Sequence, residues 1–430
     1  MSAAAQAREG EILASIAALD PAGAVRLIET EAAAHRADHD QTSINLNPAT
    51  NVMSPRAEAL LAQGLGSRPS LGDPGEKYET GLQHLEVIEV AAMELARQVF
   101  SCHFAEVRVA SGAMANLYAF MATCRPGDRV IVPPMSIGGH VTHHRAGAAG
   151  LYGLEVHAGS ADPAGFSYDL DALGAQAERV RPALITVGTS LNLREHPVAE
   201  VVEIARSVGA RVLFDAAHAC GMVASGRWAN PLSEGADVMT MSTYKSLGGP
   251  PGGLVLANDP DLASTLAAIA YPGLTANFDI ARVAALGVSL ADWLEEGAAY
   301  GAAMVDNALA LAEALEAHGL AVHQPGGAPS TSHQLALEVA TPGDGRAAAL
   351  RLERARLLVS DIGLPNAVGE GVRLGTPEVT RLGFEPDAMA TIGSLIARAL
   401  DAETDPAGVA REVTDLRQQH DGLRFTPSAG

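Results

Sequence analysis

The chain has 430 residues, 48% of them hydrophobic, and a formal net charge of −21 at pH 7, enough for a large α/β domain with a smaller one beside it. That acidic balance, uninterrupted by a basic cluster, argues against nucleic acid, and no apolar run of 18 residues or basic leader supports a membrane span or secretion, so a cytoplasmic protein is expected. Three cysteines, Cys102, Cys124 and Cys220, without CxxC spacing, read as small buried residues rather than as disulfides or metal ligands.

Residues 1–55 read as a helical arm followed by an irregular stretch, INLNPATNVMSP. From there helices and strands alternate. A helix-period segment over 85–100 precedes the strand EVRVA, which runs through Ser111-Gly112 into a second helix, AMANLYAFMATC. Further strands are predicted at 129–133, 183–187, 211–215, 237–242 and 253–258, with amphipathic helices such as DLDALGAQAERV and PVAEVVEIARSVG between them. Near-continuous apolar strands between amphipathic helices predict a mostly parallel sheet covered on both faces. An Ala-rich helix over about 279–318 then leads to a C-terminal region of strands, HQLALEV and GVRLGTP, and helices, RAAALRLERARLL and EPDAMATIGSLIARAL. The expected organisation is an arm (1–55), a large domain (56–300) and a small α/β domain (301–430).

Only two of the 29 basic residues are lysine, Lys77 and Lys245. Arginine can replace lysine where either is merely solvated, but a guanidinium stays protonated and forms no imine. Lys245, in MTMSTYKSLGGPPGG, has hydroxyl residues and glycines around it and no charged neighbour on its C-terminal side until Asp259. An amine among neutral groups loses its proton more readily and suits nucleophilic chemistry; the bland alternative is a solvated loop lysine.

Asp215 ends the strand RVLFD, at the edge of an open α/β sheet where ligands usually bind, although an aspartate there also serves as a helix cap. Ser111-Gly112-Ala113 at a helix start outlines an anion cup, a weak signal alone. His140, in SIGGHVTHH, suits stacking on a ring or a plain loop position, and Arg373, in GVRLGTP, could grip a carboxylate.

Taken in order, INLNPATNVMSP, DPGEKY, VRVASGAMANLYAF, CRPGDRVIVPPMSIGGHVTH, RVLFDAAHACGMVASG, STYKSLGGPPGGLVLAN and VRLGTPEVTRLGF resemble serine hydroxymethyltransferase over about residues 44–400. The resemblance implies the pyridoxal 5′-phosphate (PLP) aspartate-aminotransferase-like fold, an enzyme that makes and breaks the Cα–Cβ bond of β-hydroxy amino acids, and a homodimer. Carried over by position, Lys245 is the Schiff-base lysine and Asp215 the partner of the pyridine nitrogen. His218 lies near the phenolic oxygen and His140 stacks on the ring. Ser111, Gly112, Ala113 and Ser242 bind the phosphate, Ser190 lies near the ring substituents, and Arg373 takes the substrate carboxylate.

The substrate side departs from the family. Leu71 and Pro69 stand where the family has a catalytic glutamate and its tyrosine, the paired tyrosines become Tyr78 and Glu79, and the residue before the lysine is Tyr244. A serine becomes Ala49, an arginine becomes Pro251, and a glycine pair that reaches the partner subunit becomes Ala276 and Asn277. Tyr78 is expected to touch substrate and Glu79 to return a carboxylate to the site. The departures imply poor use of tetrahydrofolate and a folate-independent aldolase or transaldolase. Racemisation, transamination and decarboxylation share the same first steps and stay open, as does a non-catalytic scaffold.

Overall fold

In a computed structural model that describes residues 2–162, 166–339, 344–364 and 369–427, seven strands form one sheet. They are β1 (Phe104–Val109), β2 (Arg129–Val132), β3 (Glu155–Ala158), β4 (Leu184–Val187), β5 (Arg211–Asp215), β6 (Val238–Ser242) and β7 (Gly253–Ala257). Their order is β1-β7-β6-β5-β4-β2-β3, and β7 alone runs antiparallel to its neighbours. The expected mostly parallel sheet is therefore present.

Alternation along each strand explains its two covered faces. In β5, Val212 and Phe214 enter one core while Leu213 enters the other; in β6, Met239 and Met241 face the first and Val238 the second. The helix Gln83–Phe100 packs against the first face and Gly112–Thr123 against the second. β3 escaped the sequence reading because it is an edge strand with no fully buried residue, so no apolar run marks it.

The small sheet is antiparallel, with β8 (Gln334–Glu338), β9 (Ser360–Leu364) and β10 (Gly369–Gly375) in the order β8-β10-β9. Leu335, Leu337, Val372 and Leu374 pack there against Ile392 and Ile396 of the helix Pro386–Leu400. The helix expected over 346–358 stops at Arg354. Arg356 adopts a left-handed backbone (φ 61°), and Leu357–Leu358 turn into a short strand parallel to Ile44–Asn45.

The helix Ile280–Ala317 carries 38 residues across both cores. Val283, Leu286, Leu290 and Trp293 enter the large one; Ala308, Leu311 and Leu315 enter the small one. The expected boundary at residue 300 thus falls inside this helix, and Ile44 and Leu46, from the segment assigned to the arm, belong to the small core. The helix Ala3–Ile16 buries no residue, leaving Ile12 and Leu13 exposed. Among the described residues no helix is long and apolar enough to cross a membrane, and Cys102, Cys124 and Cys220 are free and buried.

Candidate active site

Parallel strands bring their C-terminal ends to one edge, and the residues singled out from sequence follow those ends. Ser111 comes two residues after β1, His140 is in the loop after β2, Ser190 is in the loop after β4, Asp215 is the last residue of β5, and Lys245 follows β6 by three residues. The strands β4 and β5 approach closely there: a Cβ on Gly188, which has φ 101°, would overlap the Asp215 carbonyl oxygen. Glycine is needed at that position.

Asp215 is held from three sides. His143 Nε2 and Asn116 Nδ2 each lie 2.8 Å from its Oδ2, and the Ala217 N–H donates to Oδ1 at 2.9 Å. Thr240 on β6 in turn donates to Asn116 Oδ1 at 2.6 Å, fixing the amide. Burial opposes charge on this carboxyl, but those bonds and the nearby His143 prevail and hold it well below the usual carboxylate range. The result is a carboxylate that stays ionised and acts on Lys245 electrostatically. His143 and Asn116 were not foreseen; the second histidine of HVTHH, three residues after His140, was the available signal.

Lys245 is 7% exposed, with its Nζ 3.1 Å from His218 Nε2. Burial pushes its amine down to about 8, against the pull of Asp215 and helped by Arg373. Burial likewise drives His218 well below the ordinary imidazole range, and His140 is lowered for the same reason. His140 Nδ1 bonds Thr142 Oγ1 at 2.8 Å, which orients the ring, and Asp215, Lys245 and Arg373 all act on it electrostatically.

Arg373, on β10, reaches across from the small domain. Its Nη1 donates to the Ser190 carbonyl at 2.6 Å and its Nε to Ser360 Oγ at 3.1 Å, while His218 Nε2 lies 3.5 Å away. Among the described residues it makes no ion pair, although it is 7% exposed, and burial pushes it down to about 10. A buried guanidinium without a carboxylate is a site for one. The Ser190 contact runs through its backbone oxygen, so its hydroxyl remains available. Gln334 on β8 completes the cluster: its Nε2 lies 3.3 Å from His218 Nδ1 and 3.5 Å from the Ser190 oxygen.

The anion cup is built by contact between two elements. Ser111 caps the helix Gly112–Thr123, accepting from Met114 N at 3.2 Å, and a Cβ on Gly112 would overlap Ser242 Oγ at the end of β6. Gly112 and Ser242 therefore place a hydroxyl beside the first-turn amides, where a phosphate is stabilised. Ala113 lies on the exposed side of this turn.

A model of serine hydroxymethyltransferase matches residues 26–396. The chain belongs to the serine hydroxymethyltransferase family. An alpha-methylserine aldolase of Variovorax paradoxus is 56% identical over 418 residues, covering 96% of this chain and 94% of the relative. One of Ralstonia sp is 49% identical over 395 residues, covering 91% and 90%. A serine hydroxymethyltransferase of Methanopyrus kandleri is 38% identical over 386 residues, covering 88% and 90%. As a member of this family the chain is a PLP-dependent enzyme of fold type I, and the residues present fit that cofactor. An amine whose hold on its proton is weakened by burial, a fixed carboxylate, a phosphate cup and an unpaired guanidinium meet at one sheet edge.

Two residues expected at this hydroxymethyltransferase-family site are not brought to it within the chain. The Tyr78 side chain is 80% exposed, and Glu79, half-buried with Oε2 lacking a hydrogen-bond partner, makes no bond to the cluster. Their loop is pinned from below. Lys77 is buried, with its Nζ 2.6 Å from both Glu89 Oε2 and the Gly72 oxygen, and Arg108 binds Asp73 at 3.0 Å and Glu106 at 2.8 Å. Lys77 is thus a paired structural cation, which leaves Lys245 as the available amine.

Proposed function

We propose that the chain is a folate-independent aldolase that breaks the Cα–Cβ bond of α-methylserine or a similar α-substituted β-hydroxy amino acid, acting as a cytoplasmic homodimer. The observation that carries this reading is the 56% identity, across nearly the full length of both chains, to alpha-methylserine aldolases. Two features agree with it. Leu71 stands where the family keeps its acid/base glutamate, and a leucine neither donates nor accepts a proton. A substrate with no hydrogen on Cα also removes racemisation and transamination from the competing reactions, since both begin by breaking that bond.

Bound at this site, PLP supplies an electron sink for the pair left on Cα when the bond breaks. Lys245 would attach the cofactor, Asp215 would supply the negative charge that keeps its ring nitrogen protonated, and Ser111, Gly112, Ala113 and Ser242 would hold its phosphate. Arg373 would fix the substrate carboxylate and so select which bond at Cα is aligned to break. Cleavage requires removal of the β-hydroxyl proton. His140 Nδ1 accepts from the Thr142 N–H at 3.3 Å, so the neutral ring keeps its proton on Nε2 and would stack on the cofactor rather than take that proton. Glu79 and Tyr78 would act on the partner's site. Beside the helix start, Met114, Leu117, Met121, Leu151 and Tyr152 line an open apolar cavity of about 450 Å³, a surface suited to a second copy.

Formaldehyde release from α-methylserine, threonine, phenylserine and serine, each with and without tetrahydrofolate, tests the proposal. The expected result is folate-independent release from α-methylserine. Efficient methylene-tetrahydrofolate formation from serine, lost in Glu79→Gln, would show an ordinary hydroxymethyltransferase with a relocated acid.

A further inference from the structure

The buried contacts of Gln334 determine where its hydrogens lie. The Asn192 backbone N–H points at Gln334 Oε1, 2.6 Å away. A backbone N–H can only donate, so the atom facing it is the amide oxygen, and the flipped amide would set two donors against each other. Gln334 Nε2 is then the atom 3.3 Å from His218 Nδ1, its second hydrogen directed at the Ser190 oxygen 3.5 Å away. Being a donor, Nε2 requires His218 Nδ1 to accept. The neutral imidazole must therefore carry its proton on Nε2, the nitrogen 3.1 Å from Lys245 Nζ.

We propose that Gln334 is a positioning residue that locks His218 as its Nε2–H tautomer, so that His218 donates to the neutral amine of Lys245 and disfavours its ammonium form. This rests on the reading of Lys245 as the cofactor lysine and adds to it the residue that prepares the amine. An ammonium at Lys245 would point a hydrogen at the Nε2 hydrogen, whereas a neutral amine offers its lone pair. Other groups around the pair do not supply this bias. Asp215 favours the ammonium, while Arg373 opposes it; Arg373 Nη1 also approaches His218 Nε2, but at 3.5 Å, farther than Gln334 Nε2 from Nδ1 at 3.3 Å, and its short bond goes to the Ser190 oxygen at 2.6 Å. His333, buried beside Arg373, is held at about 3, mainly by burial, and is neutral; His140 is neutral also; Cys220 is directed to Ser246 Oγ at 3.3 Å. Both Gln334 and His218 are buried, so no exposed position competes for these hydrogens.

The test uses the full chain without cofactor. Long-range ¹⁵N–¹H spectra of the wild type, with His218 assigned by comparison with His218→Asn, should show a pyridine-type Nδ1 and a pyrrole-type Nε2. Reductive methylation with formaldehyde, followed across pH by mass spectrometry, reads the Lys245 amine, and Lys77 serves as internal reference. In Gln334→Glu the new carboxylate accepts from Nδ1–H and inverts the tautomer, leaving Nε2 to accept from an ammonium. Its Lys245 midpoint should rise by at least one pH unit, about tenfold less labelling at pH 7; the neutral Gln334→Met should shift less. A pyrrole-type Nδ1 in the wild type overturns the proposal, as does an unchanged midpoint in Gln334→Glu with the Lys77 profile intact. The wild-type spectrum decides the matter if the variant fails to fold. Neither readout involves PLP, so an error in the cofactor assignment would surface separately, in peptide mapping of the reduced holoenzyme.

Discussion

Lys245 and Lys77 are both buried, and what separates them is a partner: Lys77 has a carboxylate at 2.6 Å and Lys245 has an imidazole. Borohydride reduction of the holoenzyme is accordingly expected to label the Lys245 peptide, and Lys245→Ala to lose the bound chromophore; label on Lys77 would refute the assignment. With the amine near 8, capture of an aldehyde by the cofactor-free chain should rise with pH and level off above that value, since only the deprotonated form attacks. Arg373→Ala should raise KM for the amino acid by an amount worth on the order of 2–5 kcal/mol while sparing PLP affinity, and an unchanged KM would move carboxylate binding elsewhere. Lys245 stood out in sequence by its neutral neighbourhood, whereas Asp215 and Arg373 were singled out by their places at strand ends and by the family resemblance. His143, Asn116 and Gln334 were not, because their meaning lies in a hydrogen bond to a residue 72, 99 or 116 positions away.

At the scale of elements, the contact between the helix start at Gly112 and the strand end at Ser242 sets the phosphate cup. Gly112→Ala pushes a methyl into Ser242 Oγ, and its expected effect is a clear rise in the PLP dissociation constant. The two positions share one contact, so Gly112→Ala combined with Ser242→Ala should be little worse than Ser242→Ala alone. Strict additivity, measured by titration of cofactor into the stripped chain, would separate the two. Strands buried on both faces, such as Arg211–Asp215, were readable to the residue because nothing but an apolar run fits there. The end of the helix at Arg354 was not readable: RARLL continues the helical pattern, and only pairing with Ile44–Asn45, more than 300 residues away, draws Leu357–Leu358 into a strand.

At the scale of the molecule, Glu378 joins the N-terminal segment to the small domain, accepting from Asn45 Nδ2 at 2.6 Å. Burial pushes its carboxyl up to about 7 from 4.5, against the pull of His39 and the Asn45 bond. Between those values the folded chain keeps a proton that the unfolded chain has released, so stability falls as pH rises through that window, by roughly 3 kcal/mol in full. Glu378→Gln should flatten the decline, melting higher than wild type at pH 8 and alike at pH 5; parallel pH profiles would contradict this. The proposed homodimer is tested by mass in solution, where a fully active monomer would exclude it. The helix Ile280–Ala317, about 57 Å long at 1.5 Å per residue, is a structural beam common to both cores. Neither core can melt without stripping one end of it, so the two are expected to unfold as one calorimetric unit. A proline at Asp306, between Met304 of the large core and Ala308 of the small one, would interrupt that beam at a cost of about 3 kcal/mol, and the single heat-absorption peak should divide into two.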